Sequence, residues 1–133
     1  MKIVNMNTLS ESQLTQAAQM LTDELPLGWP ILADAMEEVS MLLNDEDEPD
    51  ALFLAAVEDS DVIGWCGIMP EYDGKVFELH PLVVRHDQQG KGIGRKLLAA
   101  IEEAAKAKGG LRTSGQYRLS KVCRCEIMNI FSS

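Results

Sequence analysis

The residue types that could do chemistry lie between positions 78 and 96, where an apolar run passes into a glycine-rich turn and then into a helical pattern. Unpaired N–H groups at a helix start carry partial positive charge, and glycine lets an anion approach the backbone closely. Cations are poorly placed at a helix start unless an anion offsets them. The spacing predicts either a phosphate site or a loop with solvated lysines. The residues concerned are Gly90, Lys91, Gly92, Gly94, Arg95 and Lys96.

Two known phosphate-binding motifs are excluded by the residues of this turn. A Walker A loop needs Ser or Thr after its Gly-Lys pair, and Gly92 follows Gly90 and Lys91 here. A dinucleotide fingerprint reads GxGxxG after a first strand, whereas this turn reads GxGxG and lies late in the chain. The turn therefore belongs to neither class of nucleotide-binding protein.

A third phosphate-binding signature fits the same turn. The segment QGKGIG at 89–94 resembles the Q/R-x-x-G-x-G/A signature of the GNAT superfamily of N-acetyltransferases. The preceding ELHPLVV at 78–84 is similar to the aminoglycoside 6'-N-acetyltransferases of that superfamily. The resemblance covers about residues 3–110. Three further segments agree with it, namely LPLGWP at 25–30, VIGWCGIMPEY at 62–72 and the GG pair at 109–110.

The resemblance implies a site for acetyl-CoA as co-substrate. In the family the turn holds the pyrophosphate, and the strand before it splays from its neighbour to admit the pantetheine arm. The backbone N–H groups of Leu82, Val83 or Val84 would donate to the thioester oxygen, although these side chains look like core. The phosphates would contact Gln89, Gly90, Lys91, Gly92, Ile93, Gly94 and Arg95.

Acetyl transfer to an amine requires loss of a proton from the amine and polarisation of the thioester carbonyl. The resemblance implies direct attack in a ternary complex. Glu78 is the candidate base or substrate ligand, because apolar neighbours on the strand would raise its carboxyl pKa; alternatively it points outward from a strand edge. His80 is a second candidate, or a structural residue whose backbone Pro81 keeps extended.

Two aromatic residues match family positions near the acceptor pocket. Trp29 and Tyr72 are the candidate substrate contacts, and ordinary aromatic packing is the alternative for both. The family also places a tyrosine near the CoA sulfur as a possible general acid. Tyr117 lies beyond the matched segment, so that role is not carried over to it.

Length and composition predict a single soluble domain. The chain has 133 residues, and no apolar stretch approaches the length that spans a membrane, so we expect a cytoplasmic protein. The net charge of −9 argues against nucleic acid and suits a cationic amine, or simply keeps the protein soluble. Three cysteines, with Cys123 and Cys125 lacking a partner cluster, predict free thiols and no metal site.

The pattern of the elements is β-α-α-β-β-β-α, which predicts an α/β fold with helices on both faces of the sheet. The resemblance implies a GNAT-like sheet that is mixed and mostly antiparallel. Ser10 or Ser12 is the expected cap of the first helix. The expected strands are at 3–4, 51–58, 62–69 and 75–84, and the expected helices end at 24 and span 32–43 and 92–108. Gly64 and Gly67 inside the third of these strands indicate a bulge or a close approach of another element.

The C-terminal segment departs from the family pattern. We therefore divide the chain into an acetyl-CoA-binding core at 1–110 and an atypical tail at 111–133 that is truncated relative to the family. One explanation is a shifted reading frame near codon 110; the other is a short variant in which residues 111–119 supply one strand. The expected function is transfer of acetyl to a primary amine, the 6'-amine of an aminoglycoside. The alternative is a non-catalytic fragment that binds CoA or a partner subunit, and a homodimer is possible.

Overall fold

The computed structural model describes residues 1–47, 51–71, 76–107 and 117–119, with residues 70–71, 76–80, 105–106 and 117–119 described by their backbone. Short 3-10 helices at Met6–Thr8 and His86–Gln88 join the main elements. The order of the elements confirms the predicted α/β pattern and adds one strand at its end. The elements are β1 (Lys2–Asn5), α1 (Glu11–Glu24), α2 (Leu32–Leu43), β2 (Leu52–Glu58), β3 (Asp61–Glu71), β4 (Val76–Val84), α3 (Ile93–Ala107) and β5 (Tyr117–Leu119).

The sheet is mixed and mostly antiparallel, as predicted. Its strand order is β1-β2-β3-β4-β5, in which the first three pairings are antiparallel and β4 pairs with β5 in parallel. Residues 77–79 of β4 lie opposite residues 117–119 of β5. The short strand β5 therefore falls inside the segment expected to supply a strand in a naturally short variant.

Helices cover both faces of the sheet. Side chains alternate between the two faces along each strand, so successive residues of β4 pack against different helices. On one face Leu97 and Ile101 of α3 pack with Leu82 and Val84 of β4 in one buried cluster. On the other face Val83 belongs to the cluster formed with α1 and α2, whose central members are Ala17, Leu21, Ala35, Val39 and Trp65. Because α3 packs against β4, the glycine-rich turn at residues 89–94, here called the glycine turn, lies beside the end of that strand.

Close packing between α3 and β3 depends on Gly64. A Cβ at this position would lie 3.1 Å from Leu97 Cδ1 and 3.3 Å from Ile93 Cγ2. The absence of a side chain lets the first turns of α3 approach the sheet, as predicted from glycine inside a strand.

Helix α1 is fixed at its start and along its buried face. Ser10 caps it: its Oγ accepts from the Gln13 N–H at 3.2 Å, and Gln13 Oε1 accepts from the Ser10 N–H at 3.0 Å. This reciprocal capping box selects Ser10 over Ser12 as the helix cap. Trp65 Nε1 also donates to the Ala17 carbonyl at 3.0 Å, so α1 is tied to the centre of β3.

Within the described residues, every helix is too short or too polar to cross a bilayer.

Candidate active site

Strand β4 contains a bulge immediately before the residues that were predicted to contact the thioester. Cys66 lies opposite Leu82, but Ile68 lies opposite Leu79, so Gly67 alone faces both His80 and Pro81. Pro81 is buried and has no N–H to contribute to the ladder, which suits an irregular position. The bulge turns the second half of β4 relative to the first.

The direction of each N–H beyond the bulge follows from one hydrogen bond. The Arg85 N–H donates to the Ile63 carbonyl at 2.8 Å, so these two residues form a hydrogen-bonded pair. Such pairs alternate along an antiparallel ladder, which makes Val83 the next residue bonded to β3. The N–H groups of Leu82 and Val84 are therefore directed away from β3, towards the β5 side of the strand.

That side of β4 is covered over only part of its length. In the described ranges, β5 pairs with residues 77–79 and with no residue of β4 beyond them. The Val84 carbonyl, which also points away from β3, instead accepts a hydrogen bond from Gln89 Nε2 at 3.0 Å. The register narrows the predicted thioester contacts to the N–H groups of Leu82 and Val84, because that of Val83 is directed at β3.

The glycine turn presents backbone N–H groups next to this edge. Gly90 and Gly92 both have a φ of 81°, in the left-handed region that favours glycine. A Cβ at Gly92 would have nothing within 4 Å, so the space in front of this residue is open. The first N–H bonded into α3 is that of Lys96, which donates to the Gly92 carbonyl at 3.1 Å. The N–H groups of residues 92–95 therefore precede the helical ladder of α3.

The charges around the turn are predominantly positive. The first turn of α3 contains no acidic residue, and the side chains of Lys91, Arg95 and Lys96 are exposed. Lys91 Nζ donates to Gln88 Oε1 at 3.3 Å. The predicted combination of glycines and cations thus comes together at the start of α3, in an arrangement able to receive a diphosphate.

An ion pair precedes the turn and was not expected from the sequence. Arg85 Nε donates to Asp87 Oδ1 at 2.6 Å, and Arg85 Nη2 donates to Asp87 Oδ2 at 3.2 Å. The guanidinium lowers the pKa of the exposed Asp87 carboxyl through this hydrogen bond. Because the Arg85 guanidinium is paired with Asp87, we do not assign Arg85 to the coenzyme.

A further contact missed by the sequence analysis joins the turn to α1. Gln89 Nε2 donates to Glu24 Oε1 at 2.9 Å, and the His86 Nδ1 atom lies 3.9 Å from the same oxygen. The Glu24 side chain is only 15% exposed, and its pKa is raised, chiefly by burial, although His86 and Gln89 act to lower it. Sixty-five positions separate Glu24 from Gln89, so no local sequence pattern could have predicted the contact.

The predicted catalytic residues lie upstream on the same strand. The backbone of β4 carries both Glu78, opposite Met69, and His80, which lies in the bulge. Given the rise of a strand, the Cα atom of His80 is about 7 Å and that of Glu78 about 13 Å from that of Leu82 along β4. Both remain predictions, since these positions are described by backbone alone.

The two predicted aromatic contacts have different outcomes. Trp29 is half-buried, packs against the α1–α2 cluster, and donates its backbone N–H to the Leu25 carbonyl at 3.1 Å. Packing against this cluster therefore buries part of the Trp29 side chain, and the contact of Trp29 with a substrate stays a prediction. Tyr72 lies outside the described residues.

Potential metal ligands do not converge in the part of the chain that the structure describes, where no group of three His, Cys, Asp or Glu side chains could hold an ion. Cys66 is a free, buried thiol whose Sγ lies 3.8 Å from the Leu97 carbonyl oxygen. Burial raises the pKa of this thiol well above its ordinary value. Cys123 and Cys125 lie outside the described residues.

The family follows from comparison with known proteins. The sequence profile described as "Acetyltransferase (GNAT) family" matches residues 14–115, which include most of α1, all of α2 and α3, the bulged strand and the glycine turn. The chain belongs to this family. Its members use acetyl-CoA as co-substrate, which confirms the predicted family and co-substrate class.

Two curated relatives in the family are equally similar to this chain. An aminoglycoside N(6')-acetyltransferase type 1 of Stenotrophomonas maltophilia is 30% identical over 118 residues, covering 83% of this chain and 76% of that protein. An IAA acetyltransferase of Azospirillum brasilense is 30% identical over 121 residues, covering 89% of this chain and 79% of that protein. Their names give different acceptors.

Solved structures of the family share the fold. An aminoglycoside 6'-N-acetyltransferase complexed with coenzyme A is 27% identical, with a TM-score of 0.67 over 82% of this chain. This chain spans 57% of the length of that protein. The superposition confirms the predicted GNAT-like architecture.

Proposed function

We propose that this chain transfers the acetyl group of acetyl-CoA to a primary amine by direct attack within a ternary complex. The observation that carries the proposal is the bulged register of β4, which directs the N–H groups of Leu82 and Val84 to an edge beside the glycine turn. Donors held by the sheet stabilise the oxyanion that develops when the amine attacks the thioester carbon.

The opposite end of the coenzyme supports the same assignment. A diphosphate at the N–H groups of residues 90–95 would meet the open space at Gly92 and the exposed cations Lys91, Arg95 and Lys96. The strand edge and the turn follow each other along the chain. One extended molecule with a thioester at one end and phosphates at the other fits both.

In this mechanism the amine attacks the carbonyl carbon, the C–S bond breaks, and the CoA sulfur takes a proton as it leaves. A base must first remove a proton from the substrate ammonium. We assign Glu78 as base or as ligand of a substrate ammonium, with His80, which is nearer to Leu82 along the strand, as the second candidate.

For the acceptor, we propose the 6'-amine of an aminoglycoside, which would make the protein an agent of antibiotic resistance. The names of the relative from Stenotrophomonas maltophilia and of the protein solved with coenzyme A support this choice. The net charge of −9 also favours polycationic substrates, because a negative field raises their local concentration. Trp29, Tyr72 and Glu78 are the proposed contacts to the acceptor.

The test is a thiol-release assay with acetyl-CoA and a matched pair of acceptors. Neomycin carries a 6'-amine and paromomycin a 6'-hydroxyl, so turnover is expected with neomycin and not with paromomycin. Glu78→Gln should reduce turnover, while Glu58→Gln, at an exposed carboxylate on β2, should not. Full activity in Glu78→Gln would remove Glu78 from the mechanism.

Calorimetry with acetyl-CoA, combined with the turnover assay, separates the enzyme from the non-catalytic alternative. Binding together with turnover supports the proposal. Binding without turnover on any amine would favour a protein that only holds CoA or a partner subunit.

A further inference from the structure

The proposed coenzyme site has two halves, namely the edge of β4 and the glycine turn, and Gln89 lies between them in sequence. The side chain of Gln89 links the two halves. Its Nε2 group has two N–H donors, and the two acceptors are the Val84 carbonyl at 3.0 Å and Glu24 Oε1 at 2.9 Å. The same residue, Val84, thus presents its N–H to the open edge and its carbonyl to Gln89.

Glu24 also lies close to the residues that precede Gln89. The ring Nδ1 atom of His86 lies 3.9 Å from the Glu24 Oε1 atom that accepts the hydrogen bond from Gln89. The 3-10 helix His86–Gln88 has no side-chain cap from its own N-cap residue, Arg85. Glu24 therefore accepts a hydrogen bond from Gln89, the residue that ends this 3-10 helix.

The surroundings of Glu24 strengthen the hydrogen bond from Gln89. The Glu24 side chain is 15% exposed and stands at the last residue of α1, a helix anchored to the sheet through Trp65 and Ala17. Hydrogen bonds to a partly buried carboxylate are stronger than those between neutral groups. A rigid element thus holds the turn through a charged acceptor.

We propose that Glu24 is a positioning residue of the coenzyme site: from the end of α1 it holds Gln89 and thereby fixes the glycine turn relative to the N–H groups of β4. The inference rests on the proposed function for the identity of the ligand. It assigns the side-chain amide of Gln89 to this link, so that any contact of Gln89 with phosphate is made by its backbone.

The test compares Glu24→Ala with Glu24→Gln, which keeps an oxygen acceptor for Gln89. Amide hydrogen exchange in the free protein is measured at Gln88, Gln89 and Lys96, whose N–H groups are hydrogen-bonded on either side of the turn, with the strands β2 and β3 as an internal reference for global stability. Glu24→Ala should accelerate exchange at these amides about tenfold, the loss expected for a hydrogen bond to a charged group. Glu24→Gln should retain most of the protection, and Asp23→Ala, at the exposed neighbour, should leave it unchanged.

The affinity for acetyl-CoA provides the second readout. Glu24→Ala and Gln89→Ala should each raise the Kd about tenfold, and the double variant should lose no more than either alone, because both remove one link. The KM for acetyl-CoA should rise while the KM for the acceptor stays constant. Unchanged exchange and unchanged Kd in Glu24→Ala would overturn the inference, as would Glu24→Gln behaving like Glu24→Ala.

The two proposals fail in different ways. Wild-type protein that binds acetyl-CoA, with Glu24→Ala equal to wild type in both readouts, overturns the role of Glu24 alone. Wild-type protein that does not bind acetyl-CoA overturns the proposed function and the coenzyme part of this inference. In that case the exchange measurement still decides whether Glu24 holds the turn.

Discussion

The Arg85 N–H donates to the Ile63 carbonyl at 2.8 Å, and this bond fixes which way the last residues of β4 direct their backbone groups. It assigns Val83 to the ladder with β3 and leaves the N–H groups of Leu82 and Val84 to the other side. An amide-to-ester replacement removes one N–H without changing the side chain. At Val84 it should reduce kcat about 10²-fold with little loss of stability. At Val83 it should lower the free energy of unfolding by about 1 kcal/mol and spare kcat.

Circular dichroism and denaturant unfolding provide the control for both ester variants. Equal kinetic effects at Val83 and Val84 would mean that the oxyanion is stabilised elsewhere.

The positive φ of Gly92 predicts a cost that does not depend on space. An alanine Cβ would meet nothing within 4 Å, but a φ of 81° costs a non-glycine residue about 1–2 kcal/mol. Gly92→Ala should lower the free energy of unfolding by that amount, measured in urea. Gly28→Ala is the matched control, since its Cβ would lie 3.8 Å from the Leu25 carbonyl and its φ is ordinary.

Adding charge at the same position tests the anion site itself. Gly92→Glu should weaken acetyl-CoA binding beyond the effect of Gly92→Ala, because a carboxylate would face the diphosphate. Raising the ionic strength should narrow this difference. Equal affinities of the two variants would show that the phosphates bind elsewhere.

Glu24 makes stability depend on pH in a defined direction. Burial raises its pKa in the folded protein above the ordinary value of 4.5, so the folded state binds this proton more tightly than the unfolded state does. Stability from the protonated carboxyl is fully present below pH 4.5 and is lost as the pH rises through the folded pKa. Wild type should therefore gain stability relative to Glu24→Gln as the pH falls from about 7 to about 4. A constant difference, or one of opposite slope, would contradict this.

Cys66 should be inert in the native protein. Its side chain is fully buried and burial raises the pKa of the thiol, while thiol reagents need an accessible thiolate. In a Cys123→Ser, Cys125→Ser background, Cys66 is the one remaining thiol of the chain. Ellman's reagent should label it only at the rate of unfolding, and rapid labelling in buffer would show that α3 opens from the sheet.

Local patterns predicted the elements of this fold and the turn between β4 and α3. Apolar periodicity predicted helix α2 at its observed bounds of Leu32–Leu43, and glycine spacing predicted the turn. Glycine at position 67 indicated a bulge or a close approach, but the sequence did not place the bulge opposite His80 and Pro81, because register depends on the partner strand. Glu24 was missed for a related reason: only the packing of α1 against the sheet brings it to Gln89.

The most direct test of the coenzyme site is titration of ¹⁵N-labelled protein with acetyl-CoA, followed through the backbone amide resonances. The account predicts the largest shifts at Leu82, Val84 and residues 90–95, with Val83 and the α1–α2 face nearly unchanged. Saturable binding whose shifts avoid this strand edge and turn, or no binding at all, would contradict it.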